Sequence, residues 1–280
     1  MKKYLPLFIV FFAILVPAQN QRFYYEYRYI SDSTNLSDVK TEIMNLDVSK
    51  NGSVFYSDVV FKSDSIMKAN LEKQLRETGS INVRSDMKRG LVRYRVSKSY
   101  PNFVTALHSQ ILADAYNVAD PRKMQWKILP ERKKIGEWQA QKAETNFAGR
   151  HWTAWFCNEI PLQEGPYKFH GLPGMIVAVE DDRRSHSFEL KGIKNLKSDT
   201  INPNVFEHKE IAVTAKQFQK LTDQYKADPT IGLKQLSVGG ATLIMKGNSP
   251  DNAKMMKEAE ARMKEKIKKD NNPIELDLIN

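Results

Sequence analysis

The chain has 280 residues, with 43 Lys and Arg against 33 Asp and Glu for a formal charge of +10, and 41% hydrophobic and 10% aromatic residues. This is globular composition, long enough for one sizeable domain or two small ones. Its single cysteine, Cys157, excludes an internal disulfide framework, so a hydrophobic core must hold the fold.

Residues 1–18 read as a secretory signal: Lys2 and Lys3, an apolar run from Leu7 to Leu15, then Val16-Pro17-Ala18 before cleavage. The run is short of the roughly 20 residues that a spanning helix needs, which disfavours a membrane anchor. No cysteine stands near its end, which excludes a lipid-anchored lipoprotein, and no later stretch is apolar enough to span a bilayer. The mature chain is therefore expected in the periplasm or outside the cell. Losing Lys2 and Lys3 leaves 41 basic against 33 acidic residues, or +8. Those charges are dispersed among acids without a nucleic-acid-binding motif, so they read as a solvated basic face with at most weak attraction to anionic lipid surfaces.

From residue 23 the aromatics Phe23, Tyr25, Tyr27 and Tyr29 alternate with other residues, the period of a strand with one aromatic face. Met44, Leu46 and Val48, then Asn51-Gly52, then Val54-Phe55-Tyr56 predict a hairpin. Ser63 or Asp64 is placed to cap a helix carrying Met67, Leu71 and Leu75 that ends at Gly79 and covers the sheet. Strands follow at 91–96, 103–116 with a break, 124–129, 136–147 and 151–157. Met175 to Val179 is apolar on both faces, as a central strand would be, and Phe188 with Leu190 forms its return partner. Between them Asp181-Asp182-Arg183-Arg184 reads as a solvated turn. A strand at 206–213 leads to a helix opened by a Thr214/Gln217 capping box, with Val213 and Phe218 as a staple and Phe218, Leu221 and Tyr225 as its buried stripe. Residues 251–270 form a basic amphipathic helix with Met255, Met256, Ala259, Met263 and Ile267 as its apolar stripe. The fold class is thus mainly β (α+β): an antiparallel curved sheet or half-barrel with covering helices. It divides into a signal at 1–18, a β-rich domain at 19–250, and a terminal helix and tail at 251–280.

Motifs for chemistry are sparse. The five histidines are scattered without metal-ligand spacing, Lys246-Gly247 does not complete a phosphate loop after Gly239-Gly240, and Ser185-His186-Ser187 puts neighbours on opposite faces of a strand. No metal or cofactor is expected. Glu180 and Asp181-Asp182 beside Arg183-Arg184 fit a surface turn better than an acid/base pair.

The most individual stretch is Gly165-Pro166-Tyr167-Lys168-Phe169-His170-Gly171-Leu172-Pro173-Gly174-Met175-Ile176-Val177, a loop stiffened by prolines, bent by glycines and released into a buried strand. It resembles the signature of the GLPGLI family of exported proteins from Bacteroidota, with Met175 where the family name has leucine. The end, Asn271-Asn272-Pro273-Ile274-Glu275-Leu276, is similar to the C-termini of many members. The resemblance implies an exported protein and identifies no activity. The layout of curved sheet and covering helices is also similar to periplasmic lipoprotein carriers of the LolA type.

Aromatics concentrate around this loop, and Trp152, Trp155, Tyr167 and Phe169 are the candidates to line an apolar cleft, against the alternative that they fill the core. The reading is a non-enzymatic exported protein that binds a lipid or other amphiphile there. Two alternatives stand beside it: an interaction module for outer-membrane machinery, and a hydrolase whose site is assembled from residues distant in sequence.

Overall fold

The computed structural model describes residues 20–80, 90–197, 202–230 and 250–278. The expected signal and the stretch at 239–245 lie outside the described residues. In chain order the strands are β1 (Gln21–Ile30), β2 (Val39–Ser49), β3 (Gly52–Ser57), β4 (Arg95–Ser99), β5 (Val104–Ile111), β6 (Asp114–Asp120), β7 (Lys127–Ile135), β8 (Trp138–Phe147), β9 (Arg150–Cys157), β10 (Met175–Asp181), β11 (His186–Asn195) and β12 (Glu210–Thr214). The helices are α1 (Asp58–Thr78), α2 (Ala215–Ala227) and α3 (Pro250–Lys268). All twelve strands join one open, curved sheet in the order β12-β6-β5-β4-β3-β2-β1-β11-β10-β9-β8-β7. Its pairings are antiparallel except that of β12 with β6, which is parallel. The mainly β, curved-sheet expectation holds.

The first strand in sequence lies in the middle of the sheet, between β2 and β11, because Phe23, Tyr25 and Tyr27 give it a face that must be buried. The Tyr25 hydroxyl donates to the Ile176 carbonyl at 2.7 Å, which ties β1 to β10 across the core. The β2–β3 hairpin forms where it is expected, but its loop residues are Lys50 and Asn51, so Ser49 faces Gly52 and Gly52 opens β3 instead of sitting in the turn.

Helix α1 departs from its expected form. It starts at Ser57, whose Oγ accepts from the Val60 amide, since β3 runs into the helix without a loop and the valines there read as strand. Gly79 ends it in a left-handed conformation as expected. The helix does not lay a core face on the sheet: only Asp58 is buried, Ile66 and Leu75 are each 56% exposed, and its contact is made at the root, where Phe61 meets Tyr56 edge-on. Residues 91–94 are irregular, and β4 begins only at Arg95, because the Leu91 and Val92 amides turn to the Glu42 carboxylate instead of a strand. Strand β12 starts later than expected, at Glu210. Helix α2 opens with the Thr214/Gln217 capping box, and its Phe218 lies edge-on to Tyr116.

The sheet has an inner face, covered by the β9–β10 connection at 158–174, by α2 and by the chain after α3. Trp152, Ala154, Phe156, Phe188 and Leu190 are buried there, and Met175, Ile176 and Val177 are all buried, so β10 is apolar on both faces as expected. Asp181 corrects the solvated-turn reading. It is 2% exposed, accepts from the Arg150 guanidinium at 2.8 Å and from the His186 amide, and so belongs to the interior.

Candidate functional site

The GLPG-type loop and the terminal tail meet on the inner face. Gly171 has φ +93° with open space beside it, so it supplies a backbone conformation. Gly174 does something else: a Cβ there would stand 2.2 Å from the Cys157 carbonyl oxygen, so no side chain fits. Leu172 is buried between them and Pro173 is exposed. Pro166 is buried and its carbonyl accepts from the Phe169 amide. These turns carry Glu164 and Gly165 to β4, where the Lys98 ammonium binds the Glu164 carboxylate and the Gly165 and Phe169 carbonyls. Ser53 and Tyr100 complete the carboxylate. Burial lowers the Lys98 pKa and Glu164 opposes that fall.

The tail is held by two further groups of charges. Lys168 bridges Asp120 and Glu275, and Arg122 bonds Asp120, Glu275 and Asp277. These cations hold Asp120 well below the usual carboxylate range against its burial. Arg150 donates to Asp181, to the Asn272 side chain and to the Pro273 and Ile274 carbonyls. Asn272 also donates to the Ile30 carbonyl at 2.7 Å and its own carbonyl meets His186 Nε2 at 3.0 Å. A carbonyl only accepts, so Nε2 carries the proton and His186 Nδ1 accepts from the Tyr27 hydroxyl at 2.7 Å. Burial, then the nearby Arg150, lowers the His186 pKa to about 4 and keeps the ring neutral.

Between this clamped tail, β1, the approach to β4 and α2 lies a cleft of about 330 Å³. Its wall is tyrosine-rich: Tyr27, Tyr29, Tyr94 and Tyr167 with Leu107, and Phe218 from α2. Tyr27 stacks on Tyr29 at 4.7 Å and on Phe188 at 4.2 Å, and Tyr94 stands edge-on to Tyr167. Arg93, Lys226 and Asp270 add charge to the lining. Burial pushes the Tyr29 phenol up to about 12. The Tyr94 hydroxyl lies near that of Tyr27, yet it is buried with no hydrogen bond of acceptable geometry among the described residues. An apolar wall with a few polar groups, one of them unsatisfied, has the character of a small-ligand cleft.

Of the four aromatics singled out from sequence, Tyr167 lines this cleft, and its hydroxyl donates to Glu275. Trp152 and Phe169 are wholly buried against each other, ring centroids 4.8 Å apart, and the Trp152 indole donates to the Phe147 carbonyl. Trp155 faces the opposite side of β9, under the Lys133 ammonium 4.0 Å from its ring. Period-two alternation within β9 separates Trp152 from Trp155 and sends the first into the core. The tyrosine stripe of β1 signalled the real wall. Tyr94 and Phe218 carried no such signal, since they reach the cleft from an irregular segment and from a helix. Among the described residues no cluster of His, Cys, Asp or Glu could hold a metal.

A family model described as a protein of unknown function (Porph_ging), a domain associated with Bacteroidetes, matches residues 144–178. That stretch runs from late β8 to β10 and contains Arg150, Glu164 and Lys168, which hold the clamps. No curated protein matches the chain. Two solved structures of PNGF-II, in space groups P21 and C2, each align with TM-score 0.51 and 11% identity over 75% of this chain. The chain spans about a third (34%) of the length of those structures, and the likeness is one of β-rich fold alone. No helix among the described residues is long and apolar enough to cross a membrane.

Proposed function

We propose that the chain is an exported binding protein, of the GLPGLI kind, that holds an apolar or amphiphilic ligand in the tyrosine-lined cleft. The observation that carries this is the cleft itself, about 330 Å³ with Tyr27, Tyr29, Tyr94, Leu107 and Phe218 on its walls. That volume is at the low end for small-ligand sites, roughly 300–1,000 Å³, so it suits one chain or ring system rather than a lipid with several acyl chains. The signal pattern at 1–18 supports work in the periplasm or outside the cell.

The test is native mass spectrometry with extraction of bound small molecules, on protein purified from its own compartment. A stoichiometric apolar or amphiphilic adduct supports the reading, and an empty protein after equally mild handling counts against it.

The second reading, docking on outer-membrane machinery, draws on α3, of which Ala259, Met263 and Ile267 are half-buried while most other described positions are exposed. The sheet edge at β7 is a poor docking strand, since Pro130, a register shift between Ile128 and Arg132, and its run of charges all oppose strand addition. Deleting 251–280 does not separate the readings, because it also removes Asn272 and Glu275 from the interior. Substituting Met263 and Ile267 by Lys does: loss of a crosslinked partner with ligand binding intact supports docking.

A further inference from the structure

On the opposite face of the sheet from the cleft, three residues from three strands stand in line. The Ser97 hydroxyl lies 2.7 Å from His108 Nε2, and His108 Nδ1 lies 2.6 Å from Glu210 Oε2. Ser97 and His108 are diagonal neighbours across β4 and β5, while Glu210 reaches over β6 from β12. The other Glu210 oxygen is taken by Arg95. A carboxylate cannot donate, so Nδ1 carries the ring proton, and Nε2 presents its lone pair to the Ser97 hydroxyl. This is the tautomer that a general base requires. Unlike Lys98 and Glu164, which are dry, the His108 and Glu210 side chains are each 16% exposed.

The three residues line an open pocket of about 310 Å³ with Asn202 and His208. A smaller recess of about 90 Å³ adjoins it at His108 and Glu210, where Val60, Phe61, Val205 and Phe206 stand among polar residues that include Asp64, Arg93 and Gln110. A nucleophile with its base, neighbouring residue types able to donate to a developing oxyanion and a recess of mixed character beside them are parts that acyl transfer needs.

We propose that Ser97, His108 and Glu210 form a serine-hydrolase site for small carboxylic esters with a short acyl group. Ser97 Oγ attacks the carbonyl carbon while its proton passes to His108 Nε2. The carbon–oxygen bond to the alcohol breaks, and the leaving alkoxide takes that proton. Water then repeats the sequence on the acyl-Ser97 ester, His108 accepting the water proton and returning it to Ser97, which releases the acid. Glu210 holds the imidazole in its tautomer and stabilises the imidazolium. The site is independent of the cleft, so neither reading depends on the other.

The test uses the full mature chain, a short-alkyl fluorophosphonate and p-nitrophenyl butyrate. In the fluorophosphonate reaction the Ser97 Oγ–phosphorus bond forms, fluoride leaves and His108 takes the proton. The expected result is one adduct, mapped to the Ser97 peptide, with ester turnover lowered about 100-fold or more by Ser97→Ala and by His108→Gln. Glu210→Gln, which keeps the side-chain shape, should lower both labelling and turnover with an unchanged near-ultraviolet circular dichroism spectrum. An unlabelled wild-type protein, an adduct elsewhere, or turnover that survives in folded Ser97→Ala overturns the proposal.

Discussion

Ser97 and Lys98 are neighbours on β4, and the clusters they head could hardly differ more. Lys98 points to the inner face, where it is fully dry and every oxygen of Glu164 has a donor. Ser97 points outward to a partly exposed histidine and carboxylate, beside open space. Alternation along a strand thus gives two adjacent polar residues opposite tasks. A buried pair with all its lone pairs occupied has nothing left for chemistry, and its energy goes into fixing the loop on the sheet. A relay at the border of an open pocket retains a hydroxyl for a substrate.

The comparison can be broken by substitution. Glu164→Ala strands the Lys98 charge in the interior and should cost about 3–5 kcal/mol in urea unfolding. A loss below about 1 kcal/mol would mean the pair is not the dry clamp described here. Within the loop, Gly174→Ala should cost about 3 kcal/mol or more because its Cβ would collide with the Cys157 carbonyl, whereas Gly171→Ala should cost only about 1 kcal/mol for its positive φ. Equal losses at the two glycines would refute the distinction between room and conformation.

The inner face should also show in pH dependence. The folded pKa of His186, about 4, lies below its ordinary value of 6.5, so its contribution is complete above pH 6.5 and is lost as pH falls toward 4. That shift corresponds to up to about 3 kcal/mol. His170, also lowered by burial and then by Lys98, contributes in the same sense. Urea midpoints measured down this range should fall, and the fall should shrink in His186→Gln; a wild-type curve flat from pH 6.5 to 4 would contradict the neutral, buried ring. The smallest effects belong to single hydroxyls. Ser97→Ala should change stability by about 1 kcal/mol or less, and Tyr94→Phe, which removes an unbonded hydroxyl, should be neutral or stabilising on the same scale. If Ser97→Ala destabilised as much as Glu164→Ala, both faces of β4 would be structural.

Much of the sheet was legible because period-two patterns and turn chemistry are local. The tyrosines of β1, the Asn51-Gly52 hairpin, the double-sided apolarity of β10 and the Thr214 cap all follow from residues within one element. What was hidden depends on distance in the chain. Asp181 sits beside Asp182, Arg183 and Arg184 and reads as surface; Arg150, itself gripped by the tail, and the His186 amide make it interior. The cleft joins β1, Tyr94, α2 and the tail, and the Ser97 relay spans β4, β5 and β12, so neither leaves a motif. The loop, which lies within the stretch that the family model matches, and the tail meet through Lys168 and Glu275. That meeting explains the charges within both better than either segment does alone.

The most direct test of the cleft reading is calorimetric titration of decanoate, a single-chain amphiphile, into the wild-type chain and into Thr222→Trp, which places an indole in the cleft from α2. The account predicts saturable one-to-one binding that weakens about tenfold or more in the variant, a loss of roughly 1.4 kcal/mol. Equal binding by both proteins, or none by the wild type, would contradict it.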